Sequence, residues 1–357
     1  MEAKMYGFSI FMNTDLDDQV RSYIDKMARC GFEGIFTSMH IPEDDTQLYK
    51  ERLVALGRLA QANQLKLMVD ISGDALAKSG FSFDNIDQLT AIGVTGLRMD
   101  YHISNETIAK VSQVITVSLN ASTITQSDID ELREMQANFN HLEAWHNYYP
   151  RPETGLDREV FVDKNRFLKQ NGFNVMAFVP GDSHLRQPLY QTLPTLEAHR
   201  FLHPLAGLID MKSMSVDHIY IGDGGLKVET RLQCARFIQD QTIRLRAVAE
   251  TTDFTYVAGN HVNRQDCARD VIRSADARFR KIPQITPENT VVRSVGALTI
   301  DNCNYGRYMG EIQVVKRDLA ADLKVNRVGH VIADDLALLP FIGPGQKFII
   351  EKEKIND

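Results

Sequence analysis

Four acidic residues fall just where short apolar runs turn polar: Asp100 in VTGLRMDYH (94–102), Glu143 in HLEAWHNYYPRPETGL (141–156), Asp182 in FNVMAFVPGDSH (173–184) and Asp223 in DHIYIGDGG (217–225). Glycoside hydrolysis needs two carboxyl groups around the scissile bond, one donating a proton and the other acting as base or nucleophile. Carboxylates delivered by several strand ends into one pocket could supply such a pair. Glu143 lies inside an apolar strand, where loss of water would raise its pKa and suit it to general acid work. Asp182 follows Pro180–Gly181, a turn that can hold it outside the strand. Asp100 shares a strand face with Arg98, and Asp223 sits in a turn sequence, so these two are expected in support. Each carboxylate could instead cap a helix or pair with an arginine.

Other side chains gather at the same exits. His40, His102, His146 and His184 lie at or past strand ends, but their spacing matches no compact zinc motif. Hydrogen bonding to sugar hydroxyls by His40 and His102 is the preferred reading, and no metal or cofactor is expected. His141 and His218 fall at strand starts and receive no function. Trp145, Asn147 and Tyr149 could stack on a sugar and bind its hydroxyls, with Arg151 and Glu153 following in a proline-braced loop. Trp145 could equally be barrel core. Asn120 and Asn302 are counted with the substrate-binding residues. Arg186, Arg200, Arg293 and Arg307, with Tyr308 beside the last, are the candidates for holding an anion. There is no Walker loop and no GxGxxG after a strand, which argues against a nucleotide cofactor.

These residues need elements to place them. The strand candidates are Met5–Met12, Gly34–His40, Leu65–Ile71, Gly96–Tyr101, Val114–Leu119, Leu142–His146, Phe173–Val179 and His218–Ile221. Most are short apolar runs, as parallel strands buried on both faces should be. Helical patterns lie between them, one with Leu16, Val20, Ile24 and Met27 on one face before Gly31. SDIDELREMQANF (127–139) opens with a capping-box-like Ser–x–x–Asp. Residues 229–250 read as one long amphipathic helix. Eight strand–helix repeats over about 250 residues predict a (β/α)8 barrel, with a doubly wound open sheet as the rival. After this the pattern becomes strand-like runs broken by Gly, Pro and Asn, which predicts a compact antiparallel β domain. The expected domains are 1–250 and 251–357.

Composition narrows the function. With 357 residues, 43% hydrophobic and 24% charged, the chain can bury a sizeable core. A net charge of -7 argues against a nucleic-acid surface. No run reaches the roughly 20 apolar residues of a membrane span. The four cysteines are scattered, and the N-terminus lacks the features of a secretory signal. A cytoplasmic protein is expected, with a homodimer as the default for a barrel enzyme.

GFSIFMN, HNYYPRPETGL, PLYQTLPTLEAHR, YIGD and TIDNCNYGRYMGE occur here in that order. In these motifs the chain resembles the bacterial MupG-type 6-phospho-N-acetylmuramidases, glycoside hydrolase family 170, from Met5 to about Ile350. The resemblance implies a TIM barrel followed by a small cyclophilin-like β-barrel domain. It implies hydrolysis of the β-1,4 bond of 6-phospho-N-acetylmuramyl-N-acetylglucosamine in peptidoglycan recycling. The implied products are N-acetylmuramic acid 6-phosphate and N-acetylglucosamine. That substrate carries a phosphate and a carboxylate, so a net acidic enzyme needs local arginines. The expectation is Arg307 and Tyr308 near the phosphate, with the β domain over the barrel mouth. The rivals are a metal-dependent barrel isomerase or hydrolase of a sugar phosphate, and a carbohydrate-binding protein without turnover.

Overall fold

The computed structural model describes residues 5–13, 15–39, 49–71, 76, 80–99 and 103–353, with the side chain of Arg278 set aside. Its contacts divide the chain after Arg231 into two units.

The first unit is a closed, wholly parallel barrel of eight strands in sequence order. They are β1 (Met5–Ser9), β2 (Gly34–Ser38), β3 (Lys66–Ile71), β4 (Gly96–Met99), β5 (Thr116–Asn120), β6 (Leu142–Trp145), β7 (Asn174–Val179) and β8 (His218–Ile221). Pairing of β8 with β1, from Met5 opposite His218 to Phe8 opposite Ile221, closes the ring and removes both sheet edges. The open-sheet rival is thereby excluded. All eight strands lie within a few residues of their expected positions, because an apolar run with helix on either side has few other places to go.

Side chains fill the barrel in layers. Met5, Phe36, Met68, Trp145, Met176, Phe178 and Tyr220 form its central cluster, with Tyr148 packed against it. The Tyr220 ring crosses the interior against β1 and β2. A Cβ on Gly7 would come within 2.2 Å of that ring, and one on Gly34 within 2.1 Å of the phenol oxygen. Glycine at these two positions is what lets a tyrosine occupy the middle.

Capping explains the helix starts. Asp17 accepts from the Val20 amide at the head of Asp18–Arg29, whose Ile24 and Met27 are buried. The helix Gln126–Glu134 carries a capping box, formed by Thr125 and Asp128 rather than from Ser127 as its sequence pattern suggested.

The second unit is a seven-stranded sheet in the order β10-β15-β9-β14-β12-β13-β11. Its strands are β9 (Thr242–Ala249), β10 (Gly259–Val262), β11 (Val271–Arg273), β12 (Ala297–Asp301), β13 (Ile312–Val315), β14 (Val325–Val331) and β15 (Lys347–Lys352). Pairing is antiparallel except between β15 and β9. The long helix expected over 229–250 is corrected here: it runs Val228–Asp240, and Thr242–Ala249 is strand. In TIRLRAVA, Ile243, Leu245 and Ala247 are buried. That is a period of two, which a helical reading of so short a run does not separate. The second unit therefore begins before residue 251.

Candidate active site

Alternation along the strands decides what the barrel mouth contains. Phe36, Met68 and Trp145 belong to the central cluster. Ser38, Asp70 and Asn147 lie two residues beyond them and so face inward one layer higher. Gly96 also faces inward, since a Cβ there would meet Met68 at 2.6 Å. Arg98 follows it by two. These four side chains form one network. Arg98 donates to Asp70 Oδ1 at 2.6 Å and, through its other terminal nitrogen, to Asn147 Oδ1. Ser38 Oγ donates to Asp70 Oδ2 at 2.9 Å.

Next to this network Arg186 donates to the Tyr148 phenol oxygen at 2.7 Å. Its guanidinium lies 5.0 Å from the centroid of Phe11 and 5.7 Å from that of Tyr148. Burial pushes the Tyr148 phenol up, with Arg186 opposing, and the charges of Asp70 and Arg98 also reach it. Ser38, Asp70, Arg98, Asn147, Tyr148 and Arg186 thus form one polar cluster at the carboxyl ends of the strands. That is the face on which barrel enzymes carry their chemistry.

The expected carboxylate pair is not brought together. Glu143 is the second residue of β6, level with Asn174 at the start of β7. It lies on the floor of the barrel, below Trp145. Its Oε2 accepts from the Trp145 indole at 2.7 Å, and its Oε1 lies 3.4 Å from His218 Nε2. Burial opposes its charge, but His218, Trp145 and Lys66 together outweigh burial and lower its pKa. This corrects the expectation of a raised pKa at a strand exit. Asp182 lies beyond the other end of β7, whose five-residue rise from Asn174 to Val179 spans about 17 Å.

Asp182 and Asp223 serve loops. The Asp182 carboxylate accepts from the Lys227 amide at 2.7 Å and the Thr230 hydroxyl at 2.5 Å, at the head of the helix Val228–Asp240. Asp223 is 0% exposed and accepts from the amides of Gly181 and Leu193. Burial raises its pKa against those bonds. Asp100, His40 and His102 lie outside the described residues.

The remaining candidates separate cleanly. Trp145 is fully buried core, which corrects its assignment to sugar stacking. His146 is also fully buried, bonded through Nε2 to Asn165 at 2.7 Å, and burial lowers its pKa to about 4. His184 is exposed. Asn120 is buried at the end of β5, its Oδ1 bonded to the Ser122 amide. The Tyr149 amide donates to Pro194. Arg151 and Glu153 are exposed, and the Glu153 amide donates to Glu197.

Arg200, expected on substrate, is buried and spent on the protein. It donates to Glu197 twice and to the carbonyls of Gln191, Thr192 and Arg151. In the second unit Arg293 donates to the Ala320 carbonyl at 2.8 and 3.0 Å. Asn302 is buried and caps a short helical turn, bonding Asn304, Leu323 and Asn326. Arg307 is exposed and lies over Tyr308, donating to its hydroxyl at 2.9 Å. Among the described residues no three His, Cys, Asp or Glu side chains gather where they could hold a metal.

Residues 6–236 match the family 6-phospho-N-acetylmuramidase, N-terminal, and residues 242–351 match its C-terminal counterpart. The chain belongs to the 6-phospho-N-acetylmuramidase family. It is an enzyme, a glycosidase. A conserved Enterococcus faecalis protein of unknown function, known from its crystal structure, is similar at 46% identity. That likeness covers 98% of this chain and 96% of the other, with a TM-score of 0.90. An uncharacterized Bacillus cereus protein shares the fold at 23% identity and a TM-score of 0.75, over 98% of this chain and 99% of the other. No curated protein matches the chain. No helix among the described residues is long and apolar enough to cross a membrane.

Sequence reasoning overlooked Asp70. KLMVDI has the same form as the four motifs it selected: an apolar strand with an acid at its exit. Asp70 lies within the strand rather than past it, and that hid the likeness.

Proposed function

We propose that this enzyme hydrolyses the β-1,4 bond of 6-phospho-N-acetylmuramyl-N-acetylglucosamine, releasing N-acetylmuramic acid 6-phosphate and N-acetylglucosamine, as a cytoplasmic step of peptidoglycan recycling. The observation that carries this is a polar cluster of one carboxylate and two arginines at the mouth of a barrel whose family is named for that activity. A doubly anionic sugar needs cations where it docks, and Arg186 is a cation of the mouth held by aromatic faces rather than by a carboxylate.

Asp100, two residues after Arg98 in sequence, is the proposed acid. Arg307 with Tyr308 is the proposed grip on the phosphate: the guanidinium is exposed and is oriented by the Tyr308 ring and hydroxyl. The second unit is proposed to be of the cyclophilin-like kind. The deciding experiment incubates purified protein with the phosphorylated disaccharide and measures released N-acetylglucosamine. Turnover that withstands EDTA and requires the phosphate fits the reading. No release at any pH from 5 to 9 overturns it.

A further inference from the structure

Asp70 differs from the other acids at the described strand exits in what holds it. Asp223 is braced by backbone amides alone, and Asp182 by an amide and a helix hydroxyl. Asp223 therefore braces loops, and Asp182 the head of the helix Val228–Asp240. The Asp70 carboxylate is held differently, by the side chains of Ser38 and Arg98. The register places those two residues level with it, on the strands either side. Three adjacent strands thus bring a hydroxyl, a carboxylate and a guanidinium to one height.

The carboxylate keeps capacity for a ligand. Ionised, it offers about four acceptor positions. Each oxygen uses one here, and 15% of the side chain stays exposed while Arg98 is only 4% exposed. Arg98 in turn is tied to Asn147, so the pair is anchored to the segment just beyond β6 as well. Two side-chain donors, a hydroxyl and a buried guanidinium, hold the carboxylate in one orientation. It can face a centre on which positive charge develops.

We infer that Asp70 is a catalytic residue of the hydrolysis, an anion set against the anomeric carbon to stabilise the oxocarbenium-like transition state, with Ser38 and Arg98 as its positioning residues. The inference rests on the glycosidase reading above, and it adds a named group to it. A fixed charge aimed at developing charge acts without reorganisation, and such groups are worth about 10²–10³ in rate. The proton for the leaving N-acetylglucosamine oxygen must then come from a different group of the mouth.

The test uses Asp70→Asn, Asp70→Ala and Arg98→Lys in the full chain, with the phosphorylated disaccharide as substrate. Asp70→Asn should lower kcat by about 10²–10³-fold and change KM by less than about five-fold. Added azide or formate should restore part of the rate to Asp70→Ala, because a small anion can fill the space left. Arg98→Lys should lower kcat while changing KM by less than about five-fold, a split that mere loss of packing does not produce.

Asp70→Asn with near-normal kcat, or with its loss confined to KM, overturns the role. If both Asp70 variants lose the barrel's circular dichroism, Asp70 is a structural brace and the role also falls. Wild-type protein without turnover would overturn the glycosidase reading and this role together. An active wild type beside an equally active Asp70→Asn would overturn this role alone.

Discussion

Glu143 and His218 meet across the floor of the barrel, a carboxylate oxygen 3.4 Å from an imidazole nitrogen. Both lie in the first two residues of their strands, the end that in barrels serves stability. Glu143→Gln should therefore lower the melting temperature while leaving kcat within about three-fold. Leaving the floor partners without their charged acceptor should cost about 1–3 kcal/mol. The pH dependence has a definite sign. The Glu143 pKa is depressed in the folded protein, so its contribution is complete above the ordinary glutamate value near ~4.3 and is lost as pH falls through the lowered value. Denaturant midpoints of the Gln variant should decline less steeply in acid than those of wild type.

Arg200 and Glu197 make a second prediction. Arg200→Ala takes a buried charged donor from three carbonyls and from the Glu197 carboxylate, and should cost about 3–5 kcal/mol. Lysine should not rescue it, having no planar fork to reach Glu197 and the carbonyls together. Glu197 has its pKa lowered to about 2, chiefly by Arg200. Its share of stability is present above ~4.3 and lost as pH falls toward 2. With a third of its side chain exposed, that share is softened by solvent. Melting curves of Glu197→Gln against wild type, at pH values from 7 down to 3, measure it.

Much of this was legible from the residues. The eight strands stood out because each is an apolar run too short for a helix. The mouth was legible in part: Asn147 and Arg186, read from the sequence as substrate-binding, lie in the polar cluster at the strand exits. The carboxylates were harder. An acid beyond an apolar run can face the mouth, cap the next helix or brace a loop, and sequence alone does not separate these. Asp182 and Asp223 took the last two routes. Glu143 misled for another reason. Its run begins one residue earlier, at Leu142, so the acid enters with the strand instead of leaving with it. Distance along β6 decided its layer, and no composition argument carries that information.

Asp301 in the second unit should make that unit less stable as pH rises. Burial, then the nearby charges of Glu311 and Asp322, raise its pKa to about 7. A raised folded value means the contribution is fully present below ~3.9 and declines as pH climbs through about 7. Asp301→Asn should therefore stabilise the protein at pH 8 by on the order of 1–3 kcal/mol and do little at pH 4. Urea unfolding at the two pH values tests this.

Arg186 and Arg307 can be separated by substrate choice. Arg186→Ala should raise KM about 10- to 100-fold for the phosphorylated disaccharide, the loss of one charged hydrogen bond. Arg307→Ala should raise KM far more for that substrate than for its unphosphorylated analogue. Equal effects on both analogues would remove Arg307 from the phosphate.

The parallel pairing of β9 with β15, from Thr242 opposite Lys347 to Ala247 opposite Lys352, joins the first strand of the second unit to its last. During synthesis, β9 leaves the ribosome about 105 residues before the partner that completes its side of the sheet. The barrel, whose eighth strand ends at Ile221, can close while that partner is still untranslated. A nascent chain halted before residue 347 should therefore present a finished barrel and an open, protease-sensitive remainder.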